Sequence, residues 1–282
     1  MAVLNKQGFG KGPIVRDLPG LGNNNIPLLS SFYFRFQKQR SSGAVDNHIN
    51  QIMVMPGGIS QDLSPNADLS PNTQVDGKLD LMMSDRNPND SASDNYFYNI
   101  TYSTLPVSQA KRFQFRDVGC TGICQQPLPT PTSHHPAIGR SIFVLCGFKV
   151  FFTGGRDHHI DKISILEDNG TLTIEFRDKS ASLSDVYGYL IDYAWVSTTP
   201  GQNVKIGEET GIARGGARIP LTEQKLIRGF SFDFTSSDHH LREIGVLSLN
   251  DYLEVYYSDW NRDDSFQWNV RWATISPLVI SS

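Results

Sequence analysis

The sequence predicts an all-β protein of three tandem, related antiparallel β-sandwich units in a pseudo-threefold arrangement. Three observations carry this. A short motif recurs three times with the same neighbours in the same order. Aromatic and β-branched residues alternate with period two through each recurrent segment. No segment sustains the 3.6-residue period of an amphipathic helix over three turns. Of 282 residues, 39% are hydrophobic and 11% aromatic, so a sizeable core can be buried; only 19% are charged, and the 24 glycines suit a chain with many turns.

The chain opens with MAVLNKQGFGKGPIVRDLPGLGNNN, rich in Gly and Asn. Residues 1–25 are expected to be an extended arm that orders on a neighbouring subunit, giving a homo-oligomer. The glycines of Gly8-Phe9-Gly10-Lys11-Gly12 lack the spacing and strand–helix setting of a phosphate loop. No secretory h-region and no apolar run of membrane-spanning length is present, so the expected location is a cytoplasmic assembly or one exported by a non-Sec route, with no membrane span.

Three units follow, at 26–105, 106–199 and 200–282. Each begins with an aromatic strand: Phe32-Tyr33-Phe34-Arg35-Phe36, Phe148-Lys149-Val150-Phe151-Phe152 and Phe230-Ser231-Phe232-Asp233-Phe234. Next comes the pattern D-[HN]-H-[IL]-x-x-I-x-[VI]-[LM], starting at Asp46, Asp157 and Asp238. An alternating strand then runs from Leu79, Leu172 and Leu253 into Asp85, Asp178 and Asp259. A polar loop closes on Asp94, Asp185 and Asp264 and leads into a last strand at Tyr96, Tyr187 and Phe266. A fainter leading element aligns Val15-Arg16-Asp17-Leu18 with Phe115-Arg116-Asp117-Val118 and, more loosely, with Val204-Lys205-Ile206-Gly207. Differences fall between strands: an Asn/Pro-rich insertion with DLSPN at Asp62 and Asp68, a Pro-rich linker over 125–139, and a glycine-rich loop over 207–218.

Several side chains are candidates for chemistry. Asp46 with His48, Asp157 with His159 and Asp238 with His240 admit three readings: scaffolding of the turn into the strand, ligand recognition, or, about a threefold axis, convergence of imidazoles and carboxylates on zinc or a similar ion. Scaffolding is preferred, because every copy of a duplicated unit must fold. The loops at Asp85-Arg86-Asn87 and at Asp259-Trp260-Asn261-Arg262-Asp263 begin like calcium loops but lack the Gly and Glu of an EF-hand, leaving a weak calcium site as the alternative to a solvated loop. Trp260 differs from Trp195, Trp268 and Trp272, which alternate within strands as core residues do; a loop tryptophan can stack on a sugar or a partner. Asp259, Trp260, Asn261, Asp263, Asp85 and Asn87 are therefore the candidate ligand-binding residues. No cofactor is implied, and calcium and zinc enter only through these alternatives. Cys120, Cys124 and Cys146 form neither a CxxC pair nor a zinc set, and are expected to be structural or incidental.

A net charge of −4 without basic clusters gives no support for nucleic acid as a partner. No serine-hydrolase elbow, HExxH, Walker or dinucleotide motif is present, so the expected protein is not an enzyme.

Each unit resembles an H-type lectin domain. In unit 3 the matching residues are Phe230-Ser231-Phe232, Ile244-Gly245-Val246, Asp259-Trp260 and Val270-Arg271-Trp272-Ala273; in unit 2 they are Phe148, Ile163-Ser164-Ile165, Asp178 and Tyr193-Ala194-Trp195. The likeness implies a six-stranded antiparallel sandwich, trimeric association and binding of N-acetylgalactosamine-type sugars near subunit interfaces, with three tandem units imitating one trimer. The chain departs from that family in being tandem, in lacking a signal and in having no paired cysteines at the matching places. Two functions are expected from this. The first is lectin-like recognition of a glycan or protein surface through loops and inter-unit clefts. The alternative is a structural part of a large assembly such as a phage tail or contractile injection particle.

Overall fold

The computed structural model describes residues 1–21, 25–37, 49–57, 77–85 (without the Asp85 side chain), 95–129, 141–153, 158–178, 185–198, 203–220, 223, 225–235, 240–249, 251–260 and 264–275. Among them lie eighteen strands and no helix. Unit 1 contains β1 (Ala2–Lys11), β2 (Ile14–Asp17), β3 (Asn25–Phe36), β4 (Ile49–Pro56), β5 (Lys78–Asp85) and β6 (Asn95–Pro106). Unit 2 contains β7 (Ala110–Cys120), β8 (Ile123–Pro127), β9 (Ser141–Phe152), β10 (Ile160–Asp168), β11 (Thr171–Asp178) and β12 (Tyr187–Ser197). Unit 3 contains β13 (Val204–Arg214), β14 (Gly216–Pro220), β15 (Leu226–Phe234), β16 (Leu241–Ser248), β17 (Tyr252–Asp259) and β18 (Ser265–Ile275). The fold is all-β, with three related units, as the repeats predict.

Every unit splits its six strands into two three-stranded layers: first, sixth and third, and second, fifth and fourth. The layers do not close on themselves. The third strand of each unit pairs with the fourth strand of another: β3 with β16, β15 with β10 and β9 with β4, all antiparallel. Three six-stranded sheets result, each shared by two units, and the pairing runs cyclically round the chain. Two of the sheets touch where Arg214 meets Gly216 across the β13–β14 turn, which links them into one twelve-stranded order.

The register explains why the two recurrent segments have the composition they do. The apolar pair of the Asp-His motif, I-x-[VI], faces the alternating aromatic strand of a different unit. Ile244 and Val246 lie opposite Phe34 and Phe32; Ile163 and Ile165 opposite Phe232 and Phe230; Ile52 and Val54 opposite Val150 and Phe148. Phe32, Phe148 and Phe230 then meet at the centre, with ring centroids 5.0, 4.8 and 5.2 Å apart and no exposure. Burying each such ring contributes about 1.5–3 kcal/mol. Two residues before each of these phenylalanines the third strand carries one extra residue against the sixth, at Ser30, Cys146 and Arg228. The three bulges bend the strands alike, as a threefold arrangement requires.

Within a unit the two layers face each other across one continuous core. Phe152 stacks on Phe176 at 4.3 Å, and Phe234 on Tyr257 at 4.2 Å. The Tyr96 and Tyr187 hydroxyls cross between layers, donating to the carbonyls of Leu81 and Ile174 or of the turn glycines Gly12 and Gly122.

Four expectations are corrected. Residues 2–11 and 14–17, expected as part of an arm, are β1 and β2 of unit 1, paired with β6 and β5. The faint leading element was out of phase: Val15 lies in β2 but Phe115 in β7, and the equivalent strands are β1, β7 and β13. The glycine-rich stretch 207–218 is not a loop but most of the β13–β14 hairpin. Cys120 and Cys124 are joined as a disulfide across the β7–β8 turn, a bridge too short in sequence to read as a scaffold; Cys146 is free and buried. The DLSPN insertion and residues 130–140 of the linker lie outside the described residues. No helix among the described residues is long and apolar enough to cross a membrane.

Candidate functional site

The Asp-His motif leads into the fourth strand, at one end of the sandwich. In unit 2 the anchoring residue is the first histidine of the pair. His158 is 1% exposed, and its ring stacks on Phe152 with centroids 3.9 Å apart. Its Nδ1 lies 2.9 Å from Asp178 Oδ2 and 3.6 Å from Asp185 Oδ2. The other Asp178 oxygen accepts the His159 backbone N–H at 3.2 Å. One carboxylate, that of Asp178, thus holds both histidines where the chain enters β10. The sequence reading missed His158. The signal was present: His158 and Asp178 are 20 residues apart, and His239 and Asp259 repeat that separation (259 − 239 = 20).

Of the three imidazoles proposed to converge, two do meet. The rings of His159 and His240 lie edge to face with centroids 4.8 Å apart, across units 2 and 3. His48, Asp46, Asp157 and Asp238 lie outside the described residues. At the equivalent end of unit 3, Asp259 is 2% exposed. Trp260 is half-buried, packs against the core, and carries the Arg242 guanidinium over its ring at 5.3 Å. Asn261, Asp263 and Asn87, and the side chain of Asp85, are likewise outside the described residues.

The three seams between units share a backbone plan but carry different outer faces. At β3–β16, Tyr33 and Tyr256 flank Gly245 from either side, with rings 4.9 Å apart. A side chain there would drive its Cβ to 2.4 Å from the Phe32 carbonyl oxygen, so the seam needs glycine. The aromatic row continues from Tyr33 to Phe97 at 6.1 Å and from Phe97 to Phe9 at 5.5 Å, ending on a ring that is 61% exposed. Carboxylates hold the phenols: Tyr33 donates to Glu243 and Tyr256 to Glu254, both at 2.6 Å. Burial, reinforced by these carboxylates, pushes both phenols above their ordinary range. Arg35 lies over Phe97 at 5.9 Å and Arg218 over Tyr252 at 3.9 Å.

The β15–β10 seam is ionic. Lys162 sits 2.9 Å from Glu175 and 3.4 Å from Asp233, while Arg177 joins Asp161, Glu175 and Asp233 at 2.7–3.0 Å. Beside it an open cleft of about 480 Å³ is lined by Lys162, Thr210, Ser231, Asp233, Gln267 and Asn269, from units 2 and 3 together. A second cleft of about 440 Å³ is lined by Glu167, Glu208, Arg228 and Arg271 among others. Burial pulls the Arg228 guanidinium below its ordinary value, against the opposing effect of Glu167.

The β9–β4 seam is mostly covered. Met53, Met55 and Leu190 form a small buried cluster there. Arg112 and Asp192 pair in a fork at 5% and 0% exposure, and Arg112 also donates to the Pro56 carbonyl of unit 1 at 2.6 Å. No family model matches this sequence, and no curated protein matches it.

Proposed function

We propose that the protein is a non-catalytic, lectin-like binding protein that recognises carbohydrate across the seam between units 1 and 3. The aromatic row Phe9–Phe97–Tyr33–Tyr256 is the observation that carries this reading. Phe9 is exposed and Phe97 and Tyr256 are partly so, and these rings offer apolar surface to the C–H face of a pyranose, with the buried Tyr33 packed between Phe97 and Tyr256. The charged groups beside them, Glu254, Arg218 and Arg35, offer directional bonds to hydroxyls. They are already held by bonds and ring contacts to their neighbours, so little side-chain entropy is lost on binding. The resemblance of the units to H-type lectin domains points the same way, towards sites where two units meet.

Glycan-array screening of the full chain tests the reading, followed by calorimetry on any hit. The Phe97→Ala/Tyr256→Ala double variant is expected to weaken binding at least tenfold with its sheet signal intact. A folded chain silent across the array would overturn the proposal.

The alternative, a structural part of a large assembly, rests on a different feature. The outermost strands β1 and β8 carry Val3, Phe9 and Ile123 at 54–61% exposure, and such edges invite pairing with another chain. Sedimentation of the full chain distinguishes the two: a monomer at all concentrations counts against assembly.

A further inference from the structure

We propose that His158, Asp178 and Asp185 form a binding site for a divalent cation of the zinc type at the end of unit 2. The three ligand atoms lie within 4.8 Å of one another. Two of the separations, 2.9 and 3.6 Å from Nδ1 to the carboxylate oxygens, bracket the roughly 3.0–3.4 Å expected for neighbours on one ion with bonds of about 2.1 Å. One imidazole nitrogen and two carboxylates are a recognised donor set for such an ion, leaving a fourth position for water or a ligand group. This is a different constellation from the Asp-x-His pairs, since it takes the other histidine, with Asp178 from the end of β11 and Asp185 from just before β12.

Two further features support a site over a plain hydrogen bond. A ring nitrogen carries one proton and donates it once, yet two carboxylates face Nδ1. Finally, the ligands are pre-oriented. Phe152 fixes the plane of the His158 ring, and the His159 backbone N–H fixes the Asp178 carboxylate, as partners outside the donor set do in metal centres.

The test uses the full chain freed of metal by dialysis against chelator, titrated separately with Zn²⁺ and with Ca²⁺ and read by native mass spectrometry and calorimetry. The expected result is saturable binding, with one ion fewer per chain in His158→Ala. Because that substitution also removes the stacking on Phe152, Asp185→Asn serves as the second variant; its side chain is 18% exposed, and it is expected to weaken the site at least tenfold without changing the circular dichroism. Three results would overturn the assignment: no bound ion, the same stoichiometry and affinity in both folded variants, or binding of Ca²⁺ but not Zn²⁺.

Discussion

Arg112 and Asp192 place a full ion pair where solvent does not reach. Its value lies in the penalty for breaking it. The Asp192 carboxylate accepts the single Arg112 Nε–H, shared between its two oxygens at 2.8 and 3.0 Å, a second bond from Arg112 Nη2, and one from Gln114 at 3.1 Å. The network is complete and also ties β7 to the Pro56 carbonyl of unit 1. Arg112→Met strands a buried carboxylate and is expected to cost about 3–5 kcal/mol in denaturant unfolding. The double change Arg112→Met/Asp192→Leu is expected to recover much of that loss, because no charge is left unpaired. A double variant as unstable as the single one would refute the account. Neither residue stands out in the sequence. Arg112 follows a lysine in an unremarkable polar run, and Asp192 occupies the position held by Thr101 in unit 1 and Arg271 in unit 3, so the pair emerges only when the strands are laid side by side.

Glycines decide how closely strands approach at the seams. A Cβ on Gly147 would lie 2.4 Å from the Val54 carbonyl oxygen, and one on Gly229 2.6 Å from that of Ile165. Backbone atoms cannot yield as a flexible side chain can. Gly147→Ala is therefore expected to destabilise by about 1–3 kcal/mol, the range for overpacking, with the shift read from the midpoint of chemical unfolding. Wild-type stability in that variant would show that the strands separate freely. Glycines also explain why the leading strands were misread. Gly8 and Gly10 lie opposite Tyr98 and Tyr96, and Gly207 and Gly211 opposite Trp272 and Trp268. Each glycine makes room for a ring of the sixth strand lying over the edge strand, and every added Cβ would come within 2.9 Å of an atom of that aromatic side chain. A sequence alternating with glycine reads as a loop until the ring that needs the space is known. The β7 strand has no such glycines, and its Phe113 stacks on Tyr193 instead.

The whole molecule is a ring of shared sheets. Each unit gives its third strand to one partner and receives a third strand against its own fourth, so removing a unit exposes two unpaired edges and one side of the Phe32–Phe148–Phe230 triangle. The chain is accordingly expected to unfold in one calorimetric transition, with van't Hoff and calorimetric enthalpies equal. Three resolvable transitions would mean that the units are independent sandwiches in tandem. The seams also differ in the side chains that tie them: a tyrosine–carboxylate bond from Tyr33 to Glu243, ion pairs from Lys162 and Arg177 to Asp233, and the Arg112 bond to the Pro56 carbonyl.

The sequence by itself determined the all-β class, the number of units and the inward phase of the recurrent segments. Period-two alternation and triplication are local properties that survive in a linear string: Phe230, Phe232 and Phe234 could be assigned to one buried face without knowing what lay opposite. Only the tertiary structure decided what lay opposite. Hydrogen-bonding edges carry no sequence label, so the same strands could have closed within a unit or between units. The choice of partner, the pairing of His158 with Asp178 and Asp185, and the aromatic row from Phe9 to Tyr256 all follow from that long-range register.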